Sequence, residues 1–387
     1  MQVFCAIAAF NSEVNTFYEK YLTSLRDDQG TNGAVPVIVP DLEHPKDTIK
    51  SGYAGWGDAA TIMPWTLYQA YGDKILLQTS YASMKAWVDY ISRQSRNDLW
   101  TANGYGDWYA MGDKTSLPFI DQCFYYHSTQ LLINAGKLLH KAADIETYTA
   151  LAGKIKTAFQ QAYHFNTKDT RTQTAYVLAL QFDLLPENQT QAAADSLAKR
   201  IHENNDHLAT GFLGTPYLLT VLTKYGYSHL AYTLLLQQSC PSWLYPITKG
   251  ATTIWERWDA IKTNGTIQPC SFNHYAYGAV GQWLYEDMAG IKAASPGYKT
   301  ILIAPHPDAR VKWVKASYTC GYGKIVSQWQ FNGHQINYHI VIPKHTTALI
   351  ELPGEKVKKI KAGEYYYKTN YHYDTPKAPE PKMNNNN

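Results

Sequence analysis

Cysteine is scarce in this 387-residue chain: Cys5, Cys123, Cys240, Cys270 and Cys320 lie far apart and form no CxxC pair. Such spacing indicates neither a zinc site nor a disulfide framework. No apolar run is long enough to span a bilayer, so a membrane is not an expected partner. The N-terminal VFCAIAAF is short, lacks a basic flank and runs directly into an amphipathic pattern, so it does not read as a leader peptide. Neither sign of charge dominates: 35 Lys and Arg face 32 Asp and Glu, a formal net of +3, and the basic residues are scattered. Without a basic stripe, nucleic acid is not an expected partner. GxSxG, HExxH, P-loop and GxGxxG motifs are missing, which removes the corresponding hydrolase, metalloprotease and nucleotide readings. No cofactor and no metal are expected.

Aromatic residues, by contrast, are abundant, with 31 Tyr and 11 Trp in a chain that is 45% hydrophobic. Flat apolar faces with a polar handle suit sugar rings, and they equally build Tyr-rich cores. From Ile7 through Phe10, Val14, Phe17, Tyr21 and Leu25 the apolar spacing alternates three and four, one face of a helix, and Leu77 to Ile91 repeats it. Further helices are expected near 59–71, 118–141, 144–164, 172–186, 190–205, 215–239 and 274–289. Residues 1–290 thus read as one helical domain of about ten helices. Its connections, SGYAGWGDAA, NGYGDWYAMGD and GFLGTP among them, have the Gly-rich, aromatic composition of loops that build sites.

After Gly290 the pattern changes. TILIAP, SYTCGYGKIVSQWQF, INYHIVIP and TTALIELP alternate or are β-branched, which predicts a small antiparallel β-sandwich over 291–373. The Pro-rich, Asn-ending segment 374–387 is expected to be a disordered tail.

Carboxylates sit beside aromatics in the helical loops: Asp58 in GWGDAA, Asp107 in GYGDWYAMGD, and Glu256 with Asp259 in TTIWERWD. Glycoside hydrolysis needs one carboxyl group to protonate the leaving oxygen and another to act as nucleophile or activate water. An indole beside a carboxylate desolvates it and favours its protonated form. Asp58, immediately before a helical run, is equally placed to cap that helix. Asp259 suits an arginine partner as well as it suits catalysis. Among the histidines, a lone His127 on a helix reads as structural, whereas His274 in NHYAYGAVGQWLY lies within reach of the segment that carries Glu256.

FLGTPYLLTVLTKYGYSHLAYTLLLQQSCPSWLYPITKGATTIWERWD, SFNHYAYGAVGQWLYEDMAGI and SGYAGWGDAATIMPWTLYQAYGDKILLQTSYASMKAWVDYI resemble the catalytic domain of bacterial α-L-rhamnosidases of glycoside hydrolase family 78. PGYKTILIAPHPD and CGYGKIVSQWQ resemble that family's C-terminal β-domain. The resemblance implies an (α/α)6 six-hairpin toroid, here incomplete at its start, and inverting hydrolysis of terminal α-L-rhamnosyl groups on glycosides or polysaccharides. It puts Glu256 on the general base, Trp56 and Trp108 on the rhamnose subsite, and His274 on a sugar-contacting histidine. Asp58 shares the Trp56 loop and counts as a substrate-binding candidate. In the family an Arg-Asp-Glu-Arg segment followed by Gly-Trp-Thr-Gly-Asp-Ala precedes a sequence like QVFCAIAAFN and supplies the general acid. This chain begins at that point, so the resemblance implies a weak or inactive enzyme, with Glu43 the nearest substitute among the loops. A non-catalytic rhamnoside-binding relic and a six-hairpin glycosidase for another sugar are the competing readings. The family origin leaves bacterial cytoplasm and periplasm as the expected locations.

Overall fold

A computed structural model describes residues 1–41, 51–112, 114–164, 167 and 170–371. Glu43 and the proposed tail lie outside the described residues. Helices come in consecutive pairs: α1 (Cys5–Asn11) with α2 (Asn15–Asp28), α3 (Ala59–Tyr71) with α4 (Lys74–Gln94), and α5 (Leu117–Leu138) with α6 (Ala142–Ala162). They continue with α7 (Gln173–Gln181) and α8 (Glu187–Glu203), then α9 (Thr215–Lys224) and α10 (Ser228–Leu235). A short α11 (Leu244–Thr248) and α12 (Val280–Trp283) follow, the latter running on into a π-helical turn, Leu284–Met288.

The first member of each pair packs on the first member of the next, and α12 packs on both α9 and α1. Six inner helices therefore close a ring, with five outer helices around it among the described residues. Two expected helices are each broken in two. The stripe from Ile7 to Leu25 is interrupted at Ser12, whose backbone is extended, and the stretch 215–239 turns at Gly226, φ 85°. Local chemistry fixes other starts: Asp73 accepts the Leu76 amide at 2.9 Å and Thr172 that of Ala175 at 3.1 Å, each satisfying an orphan donor. Helix α7 is buried from Gln173 to Leu180, and a helix enclosed on all sides shows little of the periodicity that marks a surface helix.

The strands are β1 (Ile291–Ala293), β2 (Thr300–Ile303), β3 (Trp313–Cys320), β4 (Gly323–Asn332), β5 (Gln335–Ile350) and β6 (Lys358–Asn370). Strand β6 pairs along both halves of β5, while β4 and β2 share the opposite edge, on either side of an irregularity between Ile342 and Thr347. The β2–β5 pairing is parallel. The purely antiparallel expectation thus holds for the remaining pairings and is corrected for this one, whose partners are too distant in sequence to form a hairpin. The strands are fastened to the ring by the Trp329 indole, which donates to the Met288 carbonyl at 2.8 Å, and by the Lys292–Asp287 ion pair at 2.6 Å.

Candidate active site

Loops that enter the inner helices at their N-terminal ends, together with Tyr21 and Leu25 of α2 and the segment 35–39 that follows it, enclose a cavity of about 590 Å³. Gln2 and Val3 precede α1, Trp56 precedes α3, Tyr105 and Trp108 precede α5, Phe212 and Leu213 precede α9, and Glu256, His274 and Tyr275 precede α12. Four of the five site residues expected from sequence, Trp56, Trp108, Glu256 and His274, therefore face one space.

The aromatic wall is continuous. Trp56 meets Tyr105 edge-on at 5.0 Å between ring centres, and Tyr105 meets Trp108 at 5.4 Å. Trp108 is 39% exposed and stands on this wall of the cavity.

On the facing wall the chain doubles back. Glu256 N–H donates to the Ser271 carbonyl at 3.0 Å, Ser271 N–H donates to Glu256 Oε2 at 2.8 Å, and His274 N–H donates to the Ile254 carbonyl at 2.8 Å. This pairing leaves Glu256 Oε1 without a protein partner among the described residues. His274 stacks on Phe212 and on Tyr275, ring centres 5.1 and 4.7 Å away. Burial lowers its pKa below the usual histidine value, partly offset by the Glu256 charge. The Ala276 N–H donates to Nδ1 at 3.2 Å, so the neutral ring carries its proton on Nε2.

The indoles beside Glu256 do not line the cavity. Trp258 stacks on Tyr277 at 3.7 Å and its Nε1 donates to the Thr210 carbonyl, while Trp255 packs edge-on against Phe272. They anchor the backbone from behind. Asp259 receives Nε and Nη2 of Arg257 at 3.0 and 3.2 Å, the fork geometry of an arginine–carboxylate pair.

Asp58 also lies away from the cavity, fully buried. Its carboxylate accepts from Gly55 N–H at 2.7 Å, the Trp87 indole at 2.9 Å and the Ser128 hydroxyl at 2.5 Å. It makes no side-chain cap to α3, so the aspartate binds its loop to α4 and α5 instead. Burial pushes its pKa up to about 6 against those hydrogen bonds.

Asp107 is a second fastening. Its oxygens accept from the Thr174 hydroxyl and from the amides of Gly211, Leu213 and Gly214, the amides at 2.7, 2.7 and 3.0 Å. The loop of Trp108 is thereby tied to the loop of Phe212. Tyr105, Phe212 and Tyr275 were not singled out from sequence, although the first two stand in the Gly-rich aromatic connections noted above.

A second cavity of about 410 Å³, which shares Gln2 and Val3 with the first, is lined by His127, Glu286 and Tyr217 among others. His127 stacks on Phe182 at 4.0 Å, and burial lowers its pKa to about 3, the behaviour of a structural histidine. Among the described residues no group of three or more His, Cys, Asp or Glu is placed to hold a metal ion.

A closed ring of six inner helices with an aromatic, carboxylate-bearing cleft at their N-terminal ends defines a six-hairpin toroid of the glycosidase type. Residues 1–288 match the family model of the bacterial alpha-L-rhamnosidase six-hairpin glycosidase domain, and residues 290–366 match that of the bacterial alpha-L-rhamnosidase C-terminal domain. The chain belongs to the bacterial α-L-rhamnosidase family. It is 40% identical over 365 residues to an alpha-L-rhamnosidase of Streptomyces avermitilis, covering 93% of this chain and 35% of that protein. With one from Formosa agariphila it shares 39% identity, covering 93% and 40%. The solved Streptomyces avermitilis alpha-L-rhamnosidase complexed with L-rhamnose superposes with a TM-score of 0.91 at 38% identity, covering 95% of this chain and 38% of that one. The chain thus spans well under half the length of these relatives.

Proposed function

We propose that the cleft binds a terminal α-L-rhamnosyl group and hydrolyses its glycosidic bond with inversion, Glu256 acting as the general base that activates water. The observation that carries this reading is Glu256 itself: it lines the cavity that Trp56 and Trp108 wall, and of its two carboxylate oxygens only Oε2 is held, by the Ser271 amide, among the described residues. Family membership supports it, as does the L-rhamnose bound to the Streptomyces avermitilis relative. The indoles offer an apolar surface to the ring and its methyl group, and His274 presents an N–H donor to a sugar hydroxyl. Asp58 acts on the sugar only through the position of Trp56.

Inversion requires a second carboxyl group, about 6.5–9.5 Å from the first, to protonate the leaving oxygen. Glu256 is the one carboxylate among the described cavity-lining residues. The acid typically contributes about 10²–10⁴-fold, so this polypeptide by itself is proposed to favour substrates whose leaving group departs unprotonated. The test compares p-nitrophenyl with methyl α-L-rhamnoside. Turnover of the first, reduced at least ~100-fold in Glu256→Gln, with little turnover of the second, is the expected result. Undiminished turnover in Glu256→Gln refutes the assignment of the base.

A further inference from the structure

Charge is unevenly divided along this chain. From Ile291 to Tyr371 there are eleven Lys and one Arg against one Asp and three Glu, a formal net of +8. Residues 1–290 hold 21 basic against 26 acidic side chains. The overall balance of +3 conceals this asymmetry, and the scattered appearance of the lysines in sequence conceals where β pairing gathers them.

The register places Lys315, Gln328, His339 and Tyr366 in one cross-strand row, and Trp313, Gln330, Asn337 and Lys368 in the next. These alternate with the buried Tyr318, Ile325, Trp329, Tyr338 and Ile340, so both rows face outward. Two of their aromatics are among the most exposed in the protein, Trp313 at 55% and Tyr366 at 72%. Tyr366 is nevertheless held firmly: its ring stacks on His339 at 4.8 Å and 9°, and its hydroxyl donates to Glu364 at 2.7 Å, which also pairs with His339 Nε2 at 2.7 Å. Ordering an exposed ring costs side-chain entropy and buries little, an arrangement suited to presenting a rigid contact surface.

We propose that the outer face of the β3–β4–β5–β6 sheet is a docking surface for an acidic polysaccharide, a chain bearing carboxylate or sulfate groups. Three features of the face match that chemistry. The rings of Trp313 and Tyr366 offer platforms for sugar faces, about three strand spacings or ~14 Å apart, the span of a short oligosaccharide. Between them, Gln328, Gln330 and Asn337 supply amides for hydroxyl groups. Lys315, Lys324 and Lys368 on the face, continued along β6 by Lys359 and Lys361, supply positive charge to complement widely spaced anions. The sole arginine, Arg310, is engaged by Asp308 and His229, so the face lacks the arginine forks that grip phosphates closely. The choice of a carbohydrate partner rests on the glycosidase reading of the cleft, and the surface would hold the polymer while the cleft trims it.

Affinity electrophoresis tests the proposal with the whole chain run in gels containing polygalacturonate, dextran sulfate, neutral dextran or duplex DNA. Retardation by at least one acidic polysaccharide is expected, with none by dextran. The better of polygalacturonate and dextran sulfate identifies carboxylate or sulfate as the recognised group. Tyr366→Ala, and separately Lys315→Gln with Lys368→Gln, weaken the apparent affinity at least fivefold, whereas Tyr366→Phe retains most of it. Turnover of p-nitrophenyl α-L-rhamnoside, measured on the same proteins, stays unchanged and reports a folded cleft, so failure of the surface is separable from failure of the cleft reading. Equal retardation by DNA, no retardation by either acidic polysaccharide, or full affinity in Tyr366→Ala overturns the proposal.

Discussion

Replacing Asp107 by asparagine tests whether the cleft depends on the fastening between its loops. In the native protein Oδ1 accepts the amides of Leu213 and Gly214, and Oδ2 accepts the Gly211 amide and the Thr174 hydroxyl. An asparagine has one acceptor oxygen, so its NH₂ must oppose donors in either orientation. Set at the Oδ1 position, it faces two backbone N–H groups. Set at the Oδ2 position, it faces one, because the Thr174 hydroxyl can rotate and accept. The second orientation is less costly and still strands a buried amide, about 1–3 kcal/mol, while the remaining bonds lose their charged acceptor. Burial raises the pKa of Asp107, so removing the charge recovers part of this loss, and a net destabilisation of ~2–3 kcal/mol is expected. Thermal unfolding should show a midpoint lowered by several degrees. Because Trp108 follows Asp107 directly and its carbonyl accepts the Phe212 amide at 3.0 Å, KM for p-nitrophenyl α-L-rhamnoside should rise about tenfold, some 1.4 kcal/mol of lost binding, with kcat changed less. Thr174→Ala, which strands no amide, should be milder. An Asp107→Asn protein with an unchanged midpoint and an unchanged KM would falsify the argument.

Gly211→Ala attacks the same contact sterically: a Cβ there would lie 2.3 Å from the Trp108 carbonyl oxygen and 2.6 Å from the Ala110 nitrogen. Its expected signature is a lower unfolding midpoint with a higher KM, and a native-like midpoint would refute the close approach. Glu286→Gln should alter stability in a pH-dependent way, since burial raises the pKa of Glu286 to about 7. The folded state then holds a proton that the unfolded state releases near its ordinary value, so the native protein loses stability as pH rises from the usual carboxylate range through about 7. Urea unfolding at pH 5 and pH 8 should show the variant gaining on the native protein by up to ~3 kcal/mol at the higher pH; a constant difference contradicts the assignment. For His274, nitrogen NMR should find the Nε2–H tautomer and titration below the usual histidine range, and an Nδ1–H ring would be incompatible with the Ala276 hydrogen bond. Asp259→Asn should loosen the Arg257 pair while p-nitrophenyl rhamnoside turnover persists. Turnover as low as that of Glu256→Gln would instead make Asp259 a working carboxylate.

The parts of the architecture written in short-range patterns were legible in the sequence, and the parts set by long-range pairing were not. The periodicity from Leu77 to Ile91 lies within α4 because that helix has a solvent face to contrast with its core face. The break at Ser12 escaped the pattern because two successive helices can place their apolar stripes in nearly continuous spacing. Parallel pairing of β2 with β5 joins residues more than forty positions apart, and no local signal encodes it. The same holds for the basic sheet face, since lysines separated by many residues become neighbours only through strand register. In the cleft, Trp56, Trp108, Glu256 and His274 were legible because the resemblance supplied them. Tyr105 and Phe212 were missed although their loops were conspicuous, because composition marks a loop without saying which of its rings turns inward.

What separates Glu256 from the aspartates of the neighbouring loops is the number of donors each receives. Asp58, Asp107 and Asp259 all stand in aromatic loops and all looked chemically competent in sequence. Each has both oxygens engaged, by an amide, an indole and a hydroxyl for Asp58, by three amides and a hydroxyl for Asp107, and by an arginine fork for Asp259. A saturated carboxylate is a poor base, because taking up a proton means giving up bonds already formed. For Asp58 and Asp107 the energy goes instead into holding together segments that arrive from different helix pairs, in a ring with no disulfide to hold them, whereas Asp259 holds Arg257, two residues away in its own segment. Glu256 receives one donor among the described residues and lines the cavity. Asp58 and Asp107 therefore do the work of cross-links, and the fixed placement they give to the loops of Trp56 and Trp108 is the positional precision that the proposed role of Glu256 requires.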